Sequence, residues 1–199
     1  MRLGAIRGAA LAFVLLARAA HAGDFSAPVA YAPPPYVAPA SFISELRIGG
    51  SAQELFGPEK GSGSVTGEVL FAQPFTTADL FTSYFVPRPH LGASLNVGGK
   101  TSFVYAGLSW TVDLGSRFFV ETSFGGALHN GNTESDLAFV PRDRNALGCS
   151  PLFRESASVG YRFSPNWSIM ATIEHLSNAG TCAQNRGLTN VAARLGYTF

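Results

Sequence analysis

The stretch TIEHLSNAG, residues 172–180, carries a glutamate, a histidine and a serine within four positions. A histidine near a serine has chemistry when both side chains leave the backbone on the same side. The imidazole then takes the hydroxyl proton, and the serine becomes a nucleophile toward an ester. Side chains of a β-strand repeat every two residues, so His175 and Ser177 share a face about 7 Å apart at the backbone, and their tips can meet. Glu174 falls on the opposite face with Ser168 and Thr172. Trp167, Ile169, Ala171 and Ile173 set the face that His175 and Ser177 continue, so the polar pair sits at the end of an apolar stripe. Two readings stay open. The strand has reached a headgroup layer where His and Ser are tolerated, or the pair is a base and nucleophile turned toward lipid esters.

The elements that position this pair are eight alternating segments, near residues 42–50, 64–72, 88–97, 101–112, 117–128, 153–163, 167–177 and 188–199. Each is close to the roughly 9–11 residues of a tilted membrane strand. In the last segment Val191, Ala193, Leu195, Tyr197 and Phe199 share one face, and Asn190, Ala192, Arg194, Gly196 and Thr198 the other. In the fifth, Phe118, Val120, Thr122, Phe124 and Leu128 oppose Arg117, Glu121 and Ser123. In the sixth, Ala157, Val159, Tyr161 and Phe163 oppose Arg154, Ser156, Ser158 and Arg162. The polar faces collect Glu45, Arg47, Glu68, Glu121, Arg154, Arg162, Glu174 and Arg194, a mixed set of charges able to pair within a narrow lumen. With 22 Gly, 16 Phe and only 14% charged residues, this predicts an all-β chain, an eight-stranded antiparallel transmembrane β-barrel of the bacterial outer membrane.

The ends of the chain agree with that address. Arg2 and Arg7 precede an apolar run over residues 9–17 and the small-x-small sequence Ala20-His21-Ala22, the pattern of a secretory signal peptide over residues 1–22. The apolar run is too short for a transmembrane helix. Residues 23–40, GDFSAPVAYAPPPYVAPA, read as an Ala/Pro-rich extended periplasmic lead-in, with the barrel over 41–199. With 14 Lys and Arg against 13 Asp and Glu, there is no electrostatic reason to expect a nucleic-acid partner. With both termini in the periplasm, the links after strands one, three, five and seven face outside, and the turns DLGS and SPN face the periplasm. The link over residues 74–87 is long for such a turn, and LFTSYFV within it reads as a strand extension or a short amphipathic piece. Cys149 and Cys182 both fall in outside links of an oxidising compartment, where a disulfide is permitted, two free thiols being the alternative.

The pieces RPHLGASLN, YAGLSW, ETSFGGALHNG, EHLSNAG, NRGL and the terminal GYTF together resemble the outer-membrane lipid A 3-O-deacylases of PagL type, also called acyloxyacyl hydrolases, over most of the chain beyond the leader. His-x-Ser-Asn is the specific part. The resemblance implies an eight-stranded barrel with its active site on the outer wall near the outer-leaflet end. It implies His175 as general base, Ser177 as nucleophile toward the 3-O-linked acyl ester of lipid A, and Asn178 with the backbone amide of Gly180 as oxyanion donors. Implied partners are lipid A or lipopolysaccharide, the outer membrane and the barrel assembly machinery, with room for a homodimer, and no metal or other cofactor.

The family pattern places a glutamate about a dozen residues after the serine to orient the histidine. That position is Thr189 here, and no Asp or Glu follows Ser177. Thr189, Asn190 or Asn185 is expected to accept the imidazole N–H instead, and Glu174 only if the strand is bulged. A barrel of the same descent with impaired catalysis is the alternative function. Arg142 and Arg144 read either as contacts to lipid A phosphates or as solubilising loop residues. His129 reads as a structural histidine near a loop, and His90 as part of the lumen or periplasmic rim. The clusters GSGS and GG precede no helix and offer no phosphate cradle.

Overall fold

The computed structural model describes residues 41–199. The expected signal peptide and lead-in lie outside the described residues. Eight strands, β1 (Ile43–Gln53), β2 (Ser62–Phe71), β3 (Arg88–Asn96), β4 (Phe103–Leu114), β5 (Phe118–His129), β6 (Leu152–Arg162), β7 (Trp167–Ser177) and β8 (Leu188–Thr198), pair in sequence order. The antiparallel pairing of β1 with β8 closes the sheet into a barrel. Closure leaves no strand edge, which a chain in hydrocarbon requires, since an unpaired backbone group there has no water to bond. No described helix is long and apolar enough to cross a membrane.

The alternation read from sequence sets which face goes where. Leu46, Ile48, Val65, Leu91, Leu95 and Val104 point outward and are exposed. Glu45, Arg47, Glu68, Glu121, Arg154, Glu174 and Arg194 point inward and are buried. Aromatic rings collect at the end where β1 begins and β8 ends. Trp167 packs on Tyr197 with centroids 4.9 Å apart, Tyr197 on Phe199 at 5.3 Å, and Phe118 on Tyr161 at 5.0 Å, the girdle of a membrane interface. An apolar exterior over a charged interior is the inverse of a soluble barrel, and it identifies lipid as the outer medium.

An ion network spans the lumen. Arg47 bonds Glu45 at 2.7 Å, Glu68 at 2.9 Å and Glu121 at 2.6 Å. Arg88 bridges Glu45 and Glu121. Arg194 joins Glu68 to Glu174, and Arg154 holds Glu174 at 2.7 Å while its guanidinium lies 3.7 Å from the centre of the Tyr105 ring. Toward the outer end an apolar cluster joins the polar interior. Phe103, Tyr105, Ala127, Leu147, Leu152, Leu176 and Leu188 form one buried cluster. Leu147 comes from the β5–β6 link and plugs the barrel mouth.

One strand end differs from the sequence expectation. β1 runs to Gln53, three residues past its expected end, because Ser51 and Gln53 keep facing the lumen, where Gln53 donates to Glu59 at 2.6 Å. Of the two readings of the long β2–β3 link, the structure has the short piece, a helix α1 (Leu80–Ser83), and no strand extension. Asp79 caps it by accepting the Thr82 N–H at 2.8 Å. Its exposed Leu80 and Phe81, with Phe85 just beyond, suit an interface.

Removing one charge from the lumen strands its partners. Arg47→Met is expected to destabilise the barrel by about 3–5 kcal/mol, since three carboxylates lose a buried cation. Arg162→Met, at the half-exposed pair with Asp113, should cost less than about 1 kcal/mol. Urea unfolding of both variants in detergent micelles measures the difference.

Candidate active site

Ladder pairing turns the outward parity of three strands into a row. Across β6, β7 and β8 the register sets Glu155 opposite His175, and His175 opposite Thr189. Ser177 lies one outward position further along β7, opposite Phe153. The rest of the outer wall is apolar but for Thr122 and the two interface tyrosines, Tyr161 and Tyr197. Glu155, His175, Ser177 and Thr189 therefore form a polar island at the outer end of a hydrocarbon-facing surface.

The imidazole is turned toward β8. His175 Nδ1 and Thr189 Oγ1 lie 2.7 Å apart, so Thr189 holds one ring nitrogen of the imidazole. Glu174 faces the lumen and is spent on Arg154 and Arg194. The β7 ladder is continuous on both sides of it, without the bulge that would turn it outward. Asn190 is also inward, accepting the Glu54 N–H at 3.1 Å and donating to Glu174.

From behind, the wall is fixed by Leu176 and Leu188, both fully buried, whose inward side chains flank the outward His175 and Thr189. Above it the β7–β8 link is tied to the β5–β6 link. Cys149 and Cys182 form a disulfide with Cα atoms 6.1 Å apart, and Arg186 N–H donates to Ala146 O at 3.1 Å. Gly187 closes the link against the ring. Its φ is +71°, and a Cβ there would lie 2.8 Å from His175 Cε1. A cleft of about 420 Å³ opens beside the row, lined by Glu54, Leu55, Phe56, Pro58, Arg186 and Thr189 among others.

Two expected site residues, Asn178 and Gly180, are engaged within the loops. Asn178 points inward and is a loop clamp. Its Nδ2 donates to Leu147 O at 2.8 Å and to Gln184 O at 2.6 Å, and its Oδ1 accepts the Gly180 N–H at 2.9 Å. The two expected oxyanion donors, Asn178 and the Gly180 amide, are thus committed to each other and to the loops. Asn185 has an uncommitted donor: its Oδ1 accepts the Asn178 N–H at 2.9 Å, and its Nδ2 has no partner among the described residues. Arg144 donates to Gly99 O at 2.6 Å, and its neighbour Asp143 pairs with Lys100. This ties the segment carrying Arg142 and Arg144 to the β3–β4 side of the barrel rather than beside Ser177.

His129 is a loop brace, with Nε2 2.8 Å from Cys149 O and Nδ1 accepting the Gly131 N–H. His90 is buried in the lumen against Ser109. Among the described residues no three His, Cys, Asp or Glu side chains are grouped to hold a metal. Glu155 was missed by the sequence reading, although its parity with Ala157 and Val159 already put it on the outer face.

The fold is that of an outer-membrane β-barrel, and comparison with known proteins narrows the class. A family model described as lipid A 3-O-deacylase (PagL) matches residues 87–198, more than half of the chain. The chain belongs to the lipid A 3-O-deacylase (PagL) family. Among solved structures it is similar to the crystal structure of the outer membrane enzyme PagL, with a TM-score of 0.57 and 16% identity over 78% of this chain and 100% of that one. It is also similar to a de novo designed transmembrane β-barrel, with a TM-score of 0.52 and 13% identity over 81% of this chain and 99% of the other. At such identities these two likenesses carry the fold alone. A search of curated proteins found no match.

Gly187→Ala tests how closely the ring is held. The added methyl displaces the imidazole, and a shift on the order of 1 Å in a catalytic group costs about 10²-fold in rate. The strain of a left-handed alanine adds only about 1–2 kcal/mol. Deacylation should therefore fall about 10²-fold in a barrel that still resists unfolding by detergent.

Proposed function

We propose that this chain hydrolyses the 3-O-linked acyl ester of lipid A at the lipid-facing wall, with Ser177 as nucleophile and His175 as general base. The observation that carries the reading is the polar island itself. A histidine and a serine adjacent on an apolar wall have no structural work to do there, while their substrate, an ester at the base of a lipid headgroup, lies in the layer they face.

With Nδ1–H donating to Thr189 Oγ1, Nε2 carries the lone pair. Ser177 Oγ attacks the ester carbonyl as its proton passes to Nε2, giving a tetrahedral oxyanion. Asn185 Nδ2 is the donor available to that oxyanion. Collapse expels the 3-hydroxyl oxygen of the sugar, which takes the proton back from Nε2, and the acyl chain remains on Ser177. A water molecule then attacks the acyl-enzyme with His175 again as base, releasing the fatty acid and restoring the serine. Thr189 fixes the tautomer and ring orientation without supplying charge. The cleft beside Thr189, polar at Arg186 and apolar at Leu55 and Phe56, suits an amphipathic headgroup and the chain root below it.

Mass spectrometry of lipid A from cells expressing the chain tests the reading, beside Ser177→Ala and His175→Ala inserted at equal levels. Loss of one 3-linked acyl chain is expected with the native sequence and in neither variant. Unchanged lipid A in all three points to a barrel that has lost catalysis along with the family's acid. Thr189→Val keeps the shape and removes the acceptor, and its rate should fall by about tenfold or more, short of the roughly 10⁴-fold loss seen when a charged triad acid is neutralised.

A further inference from the structure

We propose that Glu155 is the charge partner of His175, a carboxylate supplied from β6 in place of the acid missing from β8. The inference rests on the Ser177 and His175 reading above. Three observations carry it. Of all outward positions on the eight described strands, Glu155 holds the sole Asp, Glu, Lys or Arg. It stands directly opposite His175 in the ladder, where facing side chains have Cβ atoms about 4.5–5.5 Å apart. It is exposed, and its carboxylate has no hydrogen-bond or ion-pair partner among the described residues, while every glutamate on an inward strand face is bound to arginine. A lone carboxylate on a hydrocarbon-facing wall is unfavourable in proportion to its depth, and nothing in the barrel's architecture uses it.

The imidazole is flanked on the β8 side by neutral Thr189 and Gly187, with Arg186 and the buried Glu54 lining the cleft beyond. Behind the wall Arg154 and Glu174 are paired with each other. Glu155 is thus the one unpaired anion in the row. When Nε2 takes the serine proton, the ring becomes a cation between a hydroxyl and this carboxylate. Attraction across the strand pair in a medium of low dielectric stabilises that cation far more than it would in water. In the resting geometry the ring leans to Thr189 and no ion pair has formed. The interaction belongs to the charged state, so it lowers the barrier and leaves ground-state binding alone. Glu155 is accordingly a positioning and charge residue that acts through His175, without touching the ester.

The test is steady-state deacylation by the purified full-length barrel in mixed micelles containing lipopolysaccharide, comparing Glu155→Gln, Glu155→Leu, Glu155→Asp and Ser177→Ala. Expected for Gln and Leu is a fall in kcat of about 10²-fold with KM within about twofold of the native value. Asp should recover part of the loss. Resistance of the barrel to heat in detergent should be unchanged or higher, most of all for Leu, which suits the lipid-facing wall. Native kcat in Glu155→Gln overturns the inference and leaves Glu155 an interface carboxylate. A raised KM at native kcat also overturns it, in favour of a headgroup contact, as does loss of activity that tracks loss of heat resistance. Activity surviving in Ser177→Ala is a separate failure, that of the serine mechanism itself.

Discussion

Four arginines and four glutamates share the lumen of this barrel, and the rest of the structure depends on their mutual neutralisation. Arg47, Arg88, Arg154 and Arg194 lie among Glu45, Glu68, Glu121 and Glu174 so that every carboxylate has a guanidinium within hydrogen-bond reach. Such a network is stable only when complete, because a single unpaired charge in that interior is costly. It therefore fixes the strand register. A slip by one residue would turn the charges into lipid and the leucines into the lumen.

That fixed register has a chemical consequence on the other side of the wall. Outward side chains inherit their neighbours from the same ladder, so locking the lumen also locks Glu155, His175 and Thr189 into one row across three strands. The row needs no loop to assemble it. Leu176 and Leu188 hold the row from behind, and the disulfide and the Asn178 clamp hold the loops above it. Positions that resemble catalytic accessories in the sequence, Asn178 foremost, serve this scaffolding. The loops of the barrel mouth must satisfy their backbone groups somewhere, and a buried carboxamide does that for three of them at once.

Under the proposed Ser177 and His175 mechanism, the membrane accounts for a threonine standing in place of an acid. In water a neutral threonine is a poor substitute for a carboxylate. Here Thr189 still supplies the geometric half of the acid's role, holding Nδ1 at 2.7 Å. In the proposed mechanism the charge half falls to Glu155, which the adjoining strand presents in the same low-dielectric layer.

The sequence by itself determined the strand count, the two faces of each strand, the shared face of His175 and Ser177 and the inward turn of Glu174. All of these follow from a period of two, which a single strand carries in its own residues. The kinship to lipid A 3-O-deacylases was legible in EHLSN for the same reason, since a motif confined to one strand end needs no partner to be recognised. Only the tertiary structure decided what lies beside the imidazole. Glu155 is twenty residues away in sequence and becomes a neighbour through the pairing of β6 with β7. The commitment of Asn178 to Leu147 and Gln184 depends on how two loops fold together. Alternation states which way a side chain points, but which side chains stand next to one another is set by inter-strand register, a property of the closed sheet.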